Sequence, residues 1–118
     1  MKSVIYDIDY KNNNCILRSI SKAINISPSV VENDLKNISS NYADEKVFDE
    51  YLLGKGFIIN NEYNGKLIQD INLNGINIIF AFKDEWYHMF TVINNVIYDK
   101  YGFESLSNMK IIKIYKLK

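Results

Sequence analysis

The pattern of apolar and polar residues changes from helical spacing in the first half of the chain to short apolar runs in the second half. Ile16, Ile20 and Ile24 are four residues apart, which predicts an amphipathic helix that begins at Cys15 and ends near Asn25. This spacing places three polar side chains on the face away from the core, namely Arg18, Ser21 and Lys22.

Two more helices are predicted before the middle of the chain. Ser27 is a favourable N-cap and Pro28 suits the first helical position, so the second helix is expected to begin there and to continue to Ile38. The third is expected to span Glu45 to Lys55, because apolar residues recur through this segment at helical spacing.

The second half of the chain holds short runs of β-branched and aromatic residues, which are typical of strands. The pair Asn94-Asn95 separates two of these runs and suits a two-residue hairpin turn. Helices followed by such strands predict an α+β fold in which N-terminal helices pack on an antiparallel β-sheet. The predicted strands are Phe57 to Ile59, Ile76 to Phe82, Tyr87 to Ile93, Val96 to Tyr98 and Ile111 to Tyr115.

Length and charge narrow the class of protein. A length of 118 residues suits one core, so residues 1–118 are expected to form a single domain. Fourteen basic and fourteen acidic residues leave no net charge, which gives no general attraction to nucleic acid or to an anionic membrane. The chain has no run near the ~20 apolar residues of a membrane span and no apolar core of a signal peptide at its start. We therefore expect a cytoplasmic protein, or one delivered without a conventional signal peptide, with neither nucleic acid nor membrane as a partner.

The chain holds one cysteine, Cys15, and one histidine, His88. A single cysteine excludes an internal disulfide, and one cysteine with one histidine cannot build a structural zinc site, so we expect neither a metal nor a cofactor. Cys15 lies at the first turn of the predicted helix, where the macrodipole and free backbone N–H groups lower the pKa of a thiol. This is a suitable position for an activated nucleophile.

His88 lies in a predicted strand, and Asp99 lies at the end of the next one, across the Asn94-Asn95 turn. The register of a two-residue turn places His88 opposite Tyr101, with Asp99 diagonal to it on the same face. Residues on such a diagonal are about 7–8 Å apart at the backbone, a distance that two side chains are able to close. The order of cysteine, histidine and carboxylate predicts a catalytic triad in which the histidine is base and acid and the carboxylate orients it.

Three asparagines at the start of the first helix, Asn12, Asn13 and Asn14, are candidates for stabilising an oxyanion. Backbone N–H groups around Asn14 and the nucleophile, with a side-chain amide from Asn12 or Asn13, would surround a negatively charged oxygen. Trp86, in the predicted histidine strand, is a candidate for lining the substrate cleft.

Each of these residues, taken singly, also has a plainer structural interpretation. A lone cysteine beside a helix is more often a buried small apolar side chain than a nucleophile, and a lone strand histidine is usually structural. The segment from Asp99 to Gly102 suits an ordinary turn, and an aromatic strand residue such as Trp86 is more often part of a core. Taken together, the three residues favour the catalytic interpretation. Their order in the chain, the type of element on which each lies and the face of the sheet that they share all have to agree for a triad to form.

Two segments resemble cysteine proteases with a papain-like fold. Residues Asn13 to Ile20 resemble the nucleophile motif of ovarian-tumour-type proteases, in which Asp-Gly-Asn-Cys-Leu-Phe-Arg-Ala/Ser opens the central helix. Residues His88 to Val92 and Asn95 to Asp99 are similar to the histidine strand and following hairpin of small bacterial and phage papain-like proteins, and bacteriocin-processing peptidases have a comparable ending. The resemblance implies one papain-like domain with the same three catalytic roles.

The chain departs from these families on the oxyanion side. Asn12 and Asn13 stand where the ovarian-tumour motif has Asp-Gly, and Asp9 stands where papain relatives have a glutamine, so a negative charge there would oppose an oxyanion. We expect a cysteine hydrolase, a peptidase or isopeptidase that acts on a protein or peptide substrate through an acyl-enzyme on Cys15. Two alternatives stay open: a catalytically silent papain-like binding module or inhibitor from a phage or mobile element, and a transferase that uses the same thiol.

Overall fold

The computed structural model describes residues 1–5 and 14–118, and within them the predicted order of helices and strands is present. A strand at the N-terminus, a short 3-10 helix and a short fourth α-helix were not predicted. The helices are α1 (Cys15–Ile24), α2 (Pro28–Ile38), α3 (Glu45–Gly54) and α4 (Phe103–Leu106), and the 3-10 helix is Ile68–Asp70. The strands are β1 (Lys2–Ile5), β2 (Phe57–Asn60), β3 (Ile76–Lys83), β4 (Trp86–Ile93), β5 (Val96–Asp99) and β6 (Lys110–Leu117).

The three longer helices begin and end close to the predicted positions because the sequence supplies their caps. The side-chain oxygen of Asn14 accepts hydrogen bonds from two backbone N–H groups in the first turn of α1. Asn25, with a φ of 56°, ends the same helix in the left-handed conformation. Ser27 and Asp44 cap α2 and α3 in the same way as Asn14 caps α1. None of the helices in the described ranges is long and apolar enough to cross a membrane.

The described strands form one six-stranded mixed sheet in the order β1-β5-β4-β3-β6-β2, so the fold is α+β. The expectation of an antiparallel sheet is correct for most neighbours but wrong at one edge, where β1 pairs with β5 in parallel. A parallel pair needs a long connection, and here α1, α2, α3, the 3-10 helix and the strands β2, β3 and β4 lie between the two strands. The apolar pattern did not predict β1 because all four of its residues are exposed and lack an alternation of burial.

The hairpin of β4 and β5 has the predicted two-residue turn. Asn94 and Asn95 have φ angles of 48° and 66°, the left-handed values that a type I′ turn requires. Pairing runs from this turn as far as Thr91 and Tyr98, where the ladder between the two strands ends. The predicted histidine and carboxylate lie just beyond the paired part of the hairpin.

The sheet carries an apolar layer on each face. The helices α1, α2 and α3 cover one face, where Leu17, Phe48 and Met89 are buried together. The 3-10 helix, α4 and the loops next to them cover the other face, where Phe90 and Ile97 are buried. Met89 and Phe90 belong to different layers because successive strand residues point to opposite faces.

Helix α1 lies against β4 and is tied to it by a buried hydrogen bond, in which the hydroxyl of Thr91 donates to the backbone carbonyl of Ser19 at 2.6 Å. Of the three side chains predicted on the exposed face of this helix, Arg18 and Ser21 are instead buried, at 4% and 6% exposed. The expectation was wrong because α1 contacts α2 and β5 as well as β4, so that more than one of its faces is enclosed.

Candidate active site

His88 and Asp99 form a buried, hydrogen-bonded pair. Nε2 of His88 is 2.7 Å from Oδ2 of Asp99, and each residue is 3% exposed. The backbone N–H of Tyr101 donates to the same carboxylate oxygen at 3.2 Å and helps to hold it in place. The two side chains therefore meet on the diagonal that the hairpin register predicted. Since Nε2 is engaged with the carboxylate, Nδ1 is the ring nitrogen left for the thiol.

Cys15 lies at the first turn of α1, and its side chain lines the same cavity as His88. Burial raises the pKa of the thiol, but the hydrogen bond to His88 and its positive charge more than offset this. A hydrogen bond from the backbone N–H of Met89 and the charge of Arg18 act in the same direction, so the pKa of Cys15 lies below its ordinary value. Because the thiolate is the nucleophilic form, this environment activates the sulfur.

The imidazole of His88 is held in its protonated form. Burial lowers the pKa of His88, whereas hydrogen bonds to Asp99 and Cys15, together with their charges, raise it to about 9. A raised histidine pKa and a lowered cysteine pKa are the two halves of a thiolate–imidazolium pair, and both belong to the pair as a unit. Both shifts favour the state in which the site holds a nucleophile and a proton donor at the same time.

The thiol occupies the opening where β4 and β5 separate. Alternate residues of an antiparallel strand direct their N–H groups to the same neighbour, so Met89, two residues before Thr91, faces the side of β5. The ladder with β5 ends at Thr91, so the N–H of Met89 is not used by β5 and contributes to the lowered pKa of Cys15. The end of the hairpin ladder thus leaves a backbone donor free to stabilise the thiolate.

Arg18 is a member of the site that sequence reasoning missed. Its Nη2 is 3.7 Å from Oδ1 of Asp99, and both side chains are buried. Nε and Nη1 of the same guanidinium are buried without a hydrogen-bond partner among the described residues. Its spacing could have identified it, because a residue three positions after Cys15 lies on the same side of the helix as the nucleophile.

The candidates for stabilising an oxyanion are described only in part. Asn12 and Asn13 lie outside the described residues, as does Asp9. The side chain of Asn14 is committed to other contacts, since its oxygen caps α1 and its Nδ2 donates to the hydroxyl of Tyr42 at 3.1 Å. Since the N–H groups of Ile16 and Leu17 are bonded to that oxygen, the backbone N–H groups of Asn14 and Cys15 stay the predicted donors to an oxyanion.

Trp86 covers the catalytic histidine candidate on its exposed side. The indole stacks on the ring of His88 with centroids 4.9 Å apart. The ring of Tyr101 meets the imidazole edge to face, with centroids 5.5 Å apart. Trp86 is itself 36% exposed, so it separates the histidine from water. It is absent from the described lining of the cavity beside Cys15, and its contact with substrate stays a prediction. Because the rings that cover the imidazole exclude water, the local dielectric is low, and the hydrogen bond between His88 and Asp99 is stronger than it would be in water.

Comparison of the chain with protein-family models, with curated proteins and with solved structures gives no match. Within residues 1–5 and 14–118, no group of three or more histidine, cysteine, aspartate or glutamate side chains is arranged to hold a metal ion. The chemistry of the site therefore rests on the geometry of Cys15, His88, Asp99 and Arg18.

Proposed function

We propose that this protein is a papain-like cysteine hydrolase that acts on amide, isopeptide or thioester bonds through an acyl-enzyme on Cys15. The observation that carries the proposal is that Cys15 and His88 line one cavity, while Nε2 of His88 lies 2.7 Å from Oδ2 of Asp99. The thiol and the imidazole also shift each other's pKa toward the ionised pair. Ionisable groups are costly to bury together, and a cysteine with a purely structural role needs no such partners. Mutually perturbed groups of this kind are typical of catalytic sites.

Acylation is the first half of the proposed reaction. The thiolate of Cys15 adds to the carbonyl carbon of the substrate, and the electron pair of the C=O bond moves onto oxygen. The backbone N–H groups of Asn14 and Cys15 stabilise this oxyanion, with the positive end of the helix dipole behind them. As the tetrahedral intermediate collapses, the imidazolium of His88 gives its proton to the leaving amine and the carbon–nitrogen bond breaks. A thioester on Cys15, a neutral imidazole and a free amine result.

Hydrolysis of the thioester is the second half. The neutral imidazole of His88 takes a proton from a water molecule, whose oxygen attacks the thioester carbon. The carbon–sulfur bond breaks, the carboxylic acid leaves, and the thiolate–imidazolium pair is restored. An amine that takes the place of water would turn the same steps into transfer of the acyl group.

Asp99 and Arg18 act on this cycle through His88 and Cys15. The carboxylate of Asp99 fixes the orientation of the imidazole and stabilises the positive charge that the ring carries before each proton transfer. The guanidinium of Arg18 lies next to the carboxylate and contributes a positive charge behind the thiolate. Neither side chain forms a bond to the substrate in the proposed steps.

The arrangement of elements supports the papain-like part of the proposal. The cysteine begins a helix that packs against the sheet, and the histidine and carboxylate come from two adjacent strands of that sheet. This is the order and placement that the resemblance in the nucleophile segment and the histidine hairpin implies.

A covalent probe tests the proposal without knowledge of the natural substrate. The thiolate of Cys15 adds to the double bond of a peptide that ends in a vinyl sulfone, and the imidazolium of His88 protonates the adjacent carbon. The intact protein therefore gains the mass of the probe. We expect rapid labelling at Cys15, none in Cys15→Ala, and labelling at least about 100-fold slower in His88→Ala. Lys116→Ala, an exposed change on β6, which is separated from β4 by β3, serves as the control and should label as the native protein does.

Two results together would contradict the proposal. The first is a Cys15 that labels no faster in the folded protein than in the protein unfolded by denaturant. The second is a Cys15→Ala variant that keeps the biological effect of the native protein, as a catalytically silent binding module would.

A further inference from the structure

A cavity of about 250 Å³ opens directly beside Cys15, between α1, α3 and strands β3 and β4. Cys15 and His88 form its reactive side, so a group that enters it lies next to the bond under attack. Ala43 and Tyr87 are exposed and lie at its mouth. The cavity is thus continuous with the proposed catalytic site.

The walls of this cavity are apolar and held by packing. Phe48 is 2% exposed, and its ring meets Phe80 edge to face with centroids 5.5 Å apart. Phe80 in turn contacts the ring of Tyr87 at 6.1 Å, and Met89, at 1% exposed, completes the lining from β4. A wall of aromatic rings in mutual contact is preformed and does not have to be built when a ligand binds.

The chemistry of the lining defines what fits. Apart from the Cys15–His88 pair, the described residues that line the cavity carry no charged side chain. Away from that pair, a charged group that entered would lose its hydration without gaining a partner, whereas an apolar group would gain from leaving water.

The volume limits the occupant to a single group. An engineered apolar cavity of about 150 Å³ takes up benzene, and pockets for whole drug-sized ligands begin near about 300 Å³. At about 250 Å³ the cavity holds one large side chain. A larger depression of about 670 Å³ near the β3–β4 turn is lined by Lys83, Asp84 and Glu85 and does not include the thiol.

We infer that the cavity beside Cys15 binds one apolar side chain of the substrate, aromatic or branched aliphatic, adjacent to the carbonyl that the thiol attacks. This inference rests on the proposed function and names its substrate class, peptides that carry an apolar rather than a charged residue next to the scissile bond.

Three chloroacetamides with the same electrophile test the inference. The thiolate displaces chloride from each, and the probes are chloroacetamide itself, its N-benzyl derivative and its N-(2-ammonioethyl) derivative. Second-order rates are measured from the intact mass of the protein and are divided by the rates of the same probes with free cysteine. We expect a corrected rate about tenfold higher for the benzyl probe than for the unsubstituted one, and no gain for the charged probe.

Substitution of Ala43, at the mouth of the cavity, tests whether the cavity causes the preference for the benzyl probe. Ala43→Phe should fill the space and abolish the excess of the corrected benzyl rate over the rate with unsubstituted chloroacetamide, whereas Ala43→Ser should keep the native ratio of the two rates. Because Ala43 is exposed, both variants are expected to fold, which the midpoint of urea denaturation verifies.

The two ideas fail separately. Equal corrected rates for the three probes in the native protein, a preference for the charged probe, or a benzyl preference that survives in folded Ala43→Phe would overturn the inference about the cavity. A Cys15 that reacts no faster than free cysteine but still prefers the benzyl probe would contradict the proposed catalysis and leave the apolar cavity supported.

Discussion

Arg18 and Asp99 form an ion pair that is almost completely buried, with Nη2 of the arginine 3.7 Å from Oδ1 of the aspartate. The other carboxylate oxygen of Asp99 is bonded to His88, so the carboxylate faces a positive group on two sides. At 3.7 Å the guanidinium acts through its charge rather than through a hydrogen bond, and two of its nitrogens have no partner in the described chain. Arg18 is therefore buried at a cost in desolvation, which suits a functional role better than a stabilising one.

We predict that Arg18→Met slows the alkylation of Cys15 by iodoacetamide below neutral pH. The change removes a positive charge that lowers the pKa of Cys15, so less thiolate is present at a given pH. Because Asp99 also loses a buried partner, the free energy of unfolding should fall by about 2 kcal/mol. The measurement is the alkylation rate as a function of pH, with urea denaturation for stability.

Two further variants separate charge from packing at this position. Arg18→Lys keeps the charge and should retain a larger part of the native rate than Arg18→Met does. Lys22→Met removes a positive charge from the same helix, one turn farther from the thiol, and should leave the alkylation profile close to native. A profile of Arg18→Met that coincides with the native one would show that the arginine has no effect on the thiol.

The turnover of any substrate should follow a bell-shaped dependence on pH. The pKa of Cys15 is lowered, so the acidic limb should lie below the pH at which an ordinary thiol ionises. The pKa of His88 is raised to about 9, so turnover should fall as the pH rises through that value and the imidazolium that protonates the leaving group is lost. Both limbs describe the coupled pair.

Alkylation separates the two limbs because it needs the thiolate but no proton donor. Its rate should rise through the acidic limb and should not fall near pH 9. At about pH 6, Cys15 should react faster than free cysteine, which is almost fully protonated there. A rate that rises only near the pH of free cysteine ionisation would rule out the thiolate–imidazolium pair.

The features that the sequence predicted well are those that depend on nearby residues. The start of α1 follows from the capping side chain of Asn14, and the His88–Asp99 contact follows from the Asn94-Asn95 turn, whose backbone conformation sets the register of the hairpin. In each case the determining residues are local, so pattern and turn chemistry are sufficient.

The features that were missed depend on contacts between distant parts of the chain. β1 forms because its backbone pairs with β5, far away in the sequence, and its own residues carry no burial pattern. Arg18 was assigned to the exposed face because the pattern of apolar residues does not show that β5 lies against that face, although the spacing from Cys15 places Arg18 on the side of the nucleophile. The cavity beside the thiol arises from α1, α3 and two strands together, and no segment alone predicts it.

We predict that Thr91→Val destabilises the protein by about 1 kcal/mol without changing the chemistry of the site. The hydroxyl of Thr91 donates to the carbonyl of Ser19 at 2.6 Å inside the core, and valine has the same shape without the donor. Urea denaturation measures the loss. Thr91→Ser, which keeps the hydroxyl, is the matched variant for the hydrogen bond. An unchanged midpoint in Thr91→Val would show that this contact does not hold α1 on β4.

The last prediction separates two effects of Asn14, its stabilisation of α1 as the N-cap and its influence on the reactivity of Cys15. Asn14→Ala removes the cap of α1 and should lower the free energy of unfolding by about 1 kcal/mol. Asn14→Asp keeps a capping oxygen but places a negative charge beside Cys15, so it should raise the pKa of the thiol and slow alkylation at about pH 6. The alanine variant is thus expected to lose more stability and the aspartate variant more reactivity, as measured by denaturation and alkylation on the same samples. If Asn14→Asp instead speeds alkylation, a charge at the start of α1 does not control the pKa of the Cys15 thiol.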